Sequence, residues 1–411
     1  MQDKNILLVV HHEPTGLNYH RQLIPHTFLC NEDESFKTTM TYDSIEGIVD
    51  EKLKEFQAVF FLRGIHNSKI TMLRLKKLGI KIVFDIDDFW ELPPIHKMSA
   101  KQKYIIEETA RVIIGYADLV TTTTPYLADK IRELNKNVEI IPNAIDPYQK
   151  QFQPKTIENK RLRFGWIGGM FHYDDFKEIN FNFQKLQKDD TLKNQWQFCL
   201  GGFNAITIGD LEIKHFVEKY GCEEHLLRTM NHKQLYDYLI TKKITLKDNE
   251  YIKLEKLITM NYAWFDGDDD YKQYLLNYTP LMEHYSLDKC YRRLWGRDVM
   301  SYATLYNEID IAVIPLNDTV FNRCKSQLKI IEAGFMGKAV IASNTIPYTY
   351  DCNNKNSILC DKGDFYKAMK RCINNPELVK DLSAQLYQDV QKYHIENVNK
   401  LRKEIYNKYL V

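Results

Sequence analysis

Two α/β lobes, each a parallel sheet with helices on both faces, and a largely helical insertion in the second lobe are the architecture this sequence predicts. Three observations predict it. Apolar runs of strand length alternate with helix-like segments through the first third of the chain, the pattern of a doubly wound parallel sheet. The same alternation restarts after a polar stretch at 148–160. The 411 residues also exceed what one ordinary hydrophobic core organises, so two domains are expected.

In chain order, strand-like runs occupy 6–10, 37–41, 58–62, 80–84, 119–122 and 138–141, with helical segments between them, such as 70–78 and 101–115. Pro142-Asn143-Ala-Ile-Asp146-Pro147 closes this first series with turn residues, and the polar 148–160 stretch reads as a linker. The second series opens at Arg163-Phe-Gly-Trp-Ile-Gly168-Gly169. It continues through Trp196-Gln-Phe-Cys-Leu200-Gly-Gly, the apolar runs 309–316 and 339–343, and Ile358-Leu359. Between 203 and 302 the alternation breaks down into a helix-like region rich in Tyr, Lys, Asp and Leu, read as an insertion offering a partner or acceptor surface. The tail, 374–409, carries apolar residues at helical spacing and is expected to form two helices.

Composition narrows the function. With 56 basic and 55 acidic side chains the formal charge is +1, which gives no bulk attraction to nucleic acid. Eight cysteines lie scattered without CxxC pairs, so neither a zinc site nor a disulfide framework is indicated. The first strand begins within a few residues of Met1, with no apolar leader, and no apolar run nears the about 20 residues of a membrane span. A cytoplasmic enzyme is the expectation, with peripheral membrane contact left open.

The stretch Phe321-Asn322-Arg-Cys324-Lys325-Ser326-Gln-Leu-Lys329-Ile-Ile-Glu332-Ala-Gly334 follows one strand-like run and precedes another, forming one βαβ unit. Ligands of open α/β sheets sit beyond the carboxyl ends of the strands. On a continuous helix Lys325, Lys329 and Glu332 would share one face, while Leu328, Ile331 and Phe335 would face the sheet. Ser326 is placed to cap that helix, whose free amides and dipole favour phosphate oxygens. Cations beside a carboxylate suit a nucleotide sugar; an ordinary solvated Lys329–Glu332 pair is the plainer reading.

Other segments add weaker signals. Gly168 and Gly169 end a strand where backbone can approach a diphosphate, with His172 just beyond and a helix starting near Asp174; a tight turn would look the same. Gly16, Tyr19 and Arg21 lie in the loop after the first strand, and the Arg21 fork suits an anion. Histidines 11, 12, 20 and 26 lack a metal-ligand spacing and read as surface or acceptor-side groups. Asp85, Asp87 and Asp88 end the fourth strand, where acids can hold a metal, contact acceptor hydroxyls or cap a helix at Phe89; acceptor contact is preferred. Asp266-Gly-Asp268-Asp-Asp270 has calcium-loop spacing but lacks the glycine and glutamate such a loop requires.

Together these residues resemble the retaining glycosyltransferases of the GT-B fold, of the group 1 or family-four type. The strongest match is Asn322-x-x-Lys325-Ser326-x-x-Lys329-x-x-Glu332-Ala-Gly, followed by Gly337-x-Ala-Val-Ile-Ala-Ser. Gly168-Gly169, Gly16-x-x-Tyr19-x-Arg21, Asp85-x-Asp87-Asp88, Ile141-Pro142-Asn143 and the 309–316 run support it. The resemblance implies two Rossmann-like domains, at 1–148 and 149–390, the second carrying the insertion at about 203–302, and a tail at 391–411 that crosses back onto the first. It implies a nucleotide-diphosphate-sugar donor on the second domain, a saccharide or other hydroxyl acceptor on the first, no cofactor and no essential metal. Glu332 would then grip the ribose. Lys325, Ser326, Lys329 and Asn322 would meet the diphosphate or sugar, with Gly168 and Gly169 beneath. Lys325, Glu332, Arg21 and Asp87 would be the catalytic set, and Gly16, Tyr19, Arg21, Asp87, Asp88 and His172 would contact substrate. Many relatives carry a glutamate eight residues before the second one; here that position is Cys324. A modified DNA base as acceptor, or a GT-B-like protein that binds without catalysis, are the alternative readings.

Overall fold

The structure, a computed structural model, describes residues 4–11, 15–62, 64–65, 67–93, 100–155, 157, 159–169, 172–202, 216–223, 227, 232–247, 250, 291–294 and 297–410. His12 and the acidic 266–277 segment lie outside them, as does most of the insertion.

The first lobe is a six-stranded, fully parallel sheet in the order β2-β1-β3-β4-β5-β6. Its strands are β1 (Lys4–Val10), β2 (Phe36–Tyr42), β3 (Ala58–Phe61), β4 (Lys81–Asp85), β5 (Leu119–Thr122) and β6 (Val138–Ile140). The second lobe is another parallel sheet in the order β12-β11-β10-β7-β8-β9. It comprises β7 (Leu162–Ile167), β8 (Trp196–Gly201), β9 (Tyr291–Leu294), β10 (Ile311–Ile314), β11 (Ala339–Ser343) and β12 (Ile358–Cys360). Strands such as β3 and β10 are buried along their whole length, because helices cover both faces of a parallel sheet. The insertion is not wholly helical, since it supplies β9 as an edge strand. Its His232–Thr241 helix has a small core of its own around Phe216, Cys222, Leu227 and Leu239.

Each sheet reverses its strand order once, between β1 and β3 in the first lobe and between β7 and β10 in the second. At such a switch point the loops leaving the two strands diverge and open a crevice. In the first lobe that crevice is a shallow hollow lined by Val9, Val10, His11, Asp43, Phe61, Leu62 and Ile65. The segment 148–160 is no free linker: Lys150–Phe152 forms a short helical turn and Phe152 enters the second lobe's core. The chain crosses between lobes twice, and the crossings are bonded to each other, Ile145 N to Tyr393 O at 3.0 Å and Ile395 N to Ile145 O at 2.8 Å. The final helix, Ile395–Tyr409, lies on the first sheet, with Asn399 donating to Pro25 O (2.8 Å) and Tyr406 beside His26 and Phe36. No helix among the described residues is long and apolar enough to cross a membrane.

Arg21 lies wholly inside the first lobe. Its Nε and Nη2 donate to the two Asp85 oxygens at 2.9 and 2.6 Å, and Nη1 donates to Ile141 O at 2.7 Å. The guanidinium fork is therefore closed on the protein's own carboxylate, which corrects the expectation that it holds a substrate anion. Removing one partner of a buried pair strands the other charge. Arg21→Ala is expected to lower unfolding free energy by about 3–5 kcal/mol, read as a lower urea midpoint at unchanged slope.

Candidate functional site at the second switch point

The loops leaving β7 and β10 bring together most of the residues singled out in the sequence. Gly168 and Gly169 follow β7, and a Cβ at Gly168 would run into the Lys329 ammonium. Lys329 Nζ donates to Ile167 O at 2.8 Å and sits 4.5 Å from the centroid of the Trp166 ring. Beyond the glycines, the His172 ring lies tilted against the same indole, centroids 4.8 Å apart, and its Nδ1 lies 2.8 Å from Asp175 Oδ2. Asp175 Oδ1 accepts from Asn322 Nδ2 (3.1 Å) and from the Asn317 amide (2.8 Å). One carboxylate thus pins the loops after both β7 and β10.

The 320–335 stretch is not one helix. A short turn, Val320–Arg323, is capped by Thr319, whose hydroxyl accepts from the Asn322 amide; the long helix starts at Leu328. Lys325 and Ser326 lie in the joint between them, so the single helical face expected for Lys325, Lys329 and Glu332 is not formed. Nor does Ser326 cap the helix, since its Oγ instead accepts from Asn143 Nδ2 of the interlobe crossing at 3.0 Å. Lys325 Nζ sits 4.8 Å from the Phe321 ring centroid and 3.7 Å from Asp88 Oδ1 of the first lobe. Asp88 caps no helix, because the chain at Phe89 and Trp90 is not helical. Asp87 is half-buried, and its charge reaches Arg21.

Cys324 turns towards the first lobe. It packs with Phe321 into the first lobe's core cluster around Ile86, Phe89 and Trp90, and burial pushes its thiol up to about 12. This position seals the lobes together and cannot stand in for a carboxylate.

Glu332 is 3% exposed. Its Oε1 accepts from the Tyr302 hydroxyl at 2.5 Å and its Oε2 from Tyr306 at 2.9 Å. His20 of the first lobe approaches Oε1 at 3.6 Å. The two tyrosines, four apart in the helical turn Tyr302–Glu308 before β10, are functional candidates that sequence reasoning missed, as are Asn143 and Asp175. The available signal was the spacing: tyrosines at i and i+4 ahead of a buried strand, and an acid three residues after His172. Tyr19 is buried, its hydroxyl accepting from Gln151 at 2.9 Å, so it joins the lobes and does not line an open surface. Gly16 is exposed, with open space around it. Among the described residues no three His, Cys, Asp or Glu side chains gather as a metal site.

Two ammonium groups, an imidazole, an amide and a glycine turn are therefore gathered at the carboxyl ends of β7 and β10, with the buried Glu332 carboxylate close to Lys329. Cations at strand ends attract an oxyanion, and a carboxylate accepts from hydroxyls. Burial lowers the Lys329 pKa, and neighbouring Lys325 lowers it further.

The two parallel-sheet lobes match solved structures over nearly their full length. The fold is GT-B. Anabaena HepE, crystallised with UDP-glucose, superposes on this GT-B chain with a TM-score of 0.58 at 11% identity, covering 98% of this chain and 99% of that one. Sucrose-phosphate synthase from Thermosynechococcus elongatus gives 0.56 at 14% identity over 98% of each chain. An alpha-glucosyltransferase bound to UDP and a DNA containing an HMU base gives 0.56 at 10% identity, over 98% of this chain and 100% of that one. No family model and no curated protein matches the sequence.

Burial holds two histidines neutral in the folded chain, bringing His172 down to about 4 and His26 to about 3. Unfolded histidines take up protons below pH about 6.5, so the unfolded state binds more protons between pH 6.5 and 4. Stability is therefore retained above pH 6.5 and lost as pH falls through that window, at up to about 1.4 kcal/mol per pH unit for each group. Urea titrations at pH 7 and 5 are expected to record this loss, and a smaller one in His172→Gln.

Proposed function

We propose that this chain is a glycosyltransferase. It moves a sugar from a nucleoside-diphosphate donor, bound at the β7/β10 switch point, to a hydroxyl of a saccharide or lipid-linked saccharide held by the first lobe, with retention. What supports the reading is that the Gly168-Gly169 turn, Lys325, Lys329, Asn322 and Glu332 gather at the ends of β7 and β10 beside Asp88 and His20 of the first lobe. GT-B neighbours crystallised with UDP or UDP-glucose give it further support.

In this reading Glu332 accepts from the ribose hydroxyls. Lys325, Lys329 and the glycine amides hold the diphosphate, with Asn322 and Ser326 beside the phosphates or sugar and His172 at the sugar. As the bond from the anomeric carbon to the diphosphate breaks, negative charge builds on the departing oxygen, and fixed cations in a water-poor crevice stabilise it without reorganising. Charge stabilisation by lysines calls for neither an essential metal nor a cofactor. Asp87, Asp88 and the Gly16 loop, all of the first lobe, are assigned to the acceptor side. Arg21 and Tyr19 serve by position: their side chains are spent inside the protein. The contacts Lys325–Asp88, Asn143–Ser326 and Gln151–Tyr19 join the lobes and limit water entry, which disfavours hydrolysis of the donor. The near-zero net charge favours a saccharide over a nucleic-acid acceptor, and a cytoplasmic location fits this reading.

Two outcomes test it. A panel of nucleotide sugars is expected to contain at least one that raises the melting temperature, because a ligand of the native state stabilises it by mass action; absence of any shift would count against donor binding. With that donor, Glu332→Gln and Lys325→Ala are each expected to cut transfer at least about tenfold, about 1.4 kcal/mol, with melting temperatures showing an intact fold. Wild-type rates in both variants would refute the site.

A further inference from the structure

Tyr302 has one hydroxyl proton and two partners that can accept it. Its oxygen lies 2.5 Å from Glu332 Oε1 and 2.5 Å from His20 Nε2. The His20 ring also bonds the Ala144 carbonyl, which requires a proton on its other nitrogen. A neutral His20 therefore presents Nε2 as an acceptor only. The phenol can satisfy Glu332 or His20 but not both, unless His20 takes a second proton. Of His20, Glu332, Tyr306 and Tyr302, only Tyr302 keeps part of its surface open, so anything reaching Glu332 must pass it.

We propose that Tyr302 is a positioning residue for the donor's ribose: its hydroxyl proton is shared between Glu332 and His20, and a ribose hydroxyl arriving at Glu332 turns that proton to His20. This rests on the reading of Glu332 as the ribose-binding acid. No covalent bond changes. The ribose O–H donates to Oε1, the Tyr302 O–H swings to Nε2, and every partner is satisfied with His20 neutral. When His20 carries a second proton, Nε2 donates to Tyr302 and the phenol stays latched on Glu332. Burial acts most strongly on His20 and lowers its pKa; Glu332 and the Ala144 carbonyl favour the extra proton, Arg21 and Lys329 oppose it, and Tyr302, Tyr19 and Phe152 lie against its ring. Donor binding is thereby linked to proton release, so affinity rises with pH.

The probes are UDP, GDP and ADP, bound to wild type, Tyr302→Phe and His20→Gln in calorimetry at pH 4.5 and 7.5, because burial moves His20 protonation below the ordinary histidine range. For the tightest diphosphate, wild-type affinity is expected to rise about fivefold more over this interval than that of either variant, each variant keeping only the ligand's own phosphate titration. Equal pH dependence in all three proteins, with the diphosphate bound, would overturn the role of Tyr302 and leave the donor site standing. If wild type binds none of the probes at either pH, both readings fall. Should a variant not fold, wild type in two buffers of different ionisation enthalpy decides: proton release beyond the ligand's own supports the shared proton, and none overturns it.

Discussion

The Arg21–Asp85 pair is the constraint on which the rest depends. Asp85 ends β4, Arg21 follows the loop after β1, and Nη1 reaches Ile141 at the start of the interlobe crossing. Thr121 Oγ1 completes the shell by donating to Asp85 Oδ2 at 2.6 Å. The cost of burying a charge pair is offset only where further hydrogen bonds satisfy it, and here all three guanidinium nitrogens and both carboxylate oxygens are engaged. Because Arg21 points inward, its neighbour His20 is turned toward the second lobe. Through Asn143, which contacts Arg21 at 3.4 Å and Ser326 at 3.0 Å, the same pair reaches the loop that carries Lys325.

The site is a product of two topological reversals facing each other. In each sheet the strand order turns back once, and each turn opens the loops above it. The second lobe fills its opening with cations and a glycine turn, and the first with an apolar hollow flanked by a His11–Asp43 contact at 3.5 Å. Hydrophobic contact at Phe321 and Cys324 holds the openings together, so side chains 320–326 serve both lobes. That double duty explains why the joint between two helices, and not a helix face, presents Lys325.

Much of the fold was legible because parallel strands buried on both faces write themselves as unbroken apolar runs. The 119–122 run is β5 residue for residue, and the runs at 6–10 and 339–343 fall within or on β1 and β11. The edge strand β9 was not legible, since it lies in a region without alternation and is recruited by pairing with β8. In the site, Lys329 and Gly168 meet, two residues that only the family resemblance puts around one ligand. Arg21 read as an open anion hook because the sequence does not say which acid its fork will find. Tyr302 and Tyr306 went unread because a tyrosine's hydroxyl acquires meaning only from the carboxylate it meets.

By itself the sequence determined two α/β lobes, the strand-loop-helix unit around Lys325 and Glu332, and a chain without bulk charge. These follow from periodicity, glycine placement and composition, which are local or additive properties. Tertiary structure decided which of the charged groups face the crevice and which are spent inside: Arg21 on Asp85, Cys324 in the seam, Glu332 beneath two tyrosines. The reason is physical. Burial and hydrogen-bond partnership join residues hundreds of positions apart, His20 and Tyr302 among them, and no local pattern records that meeting.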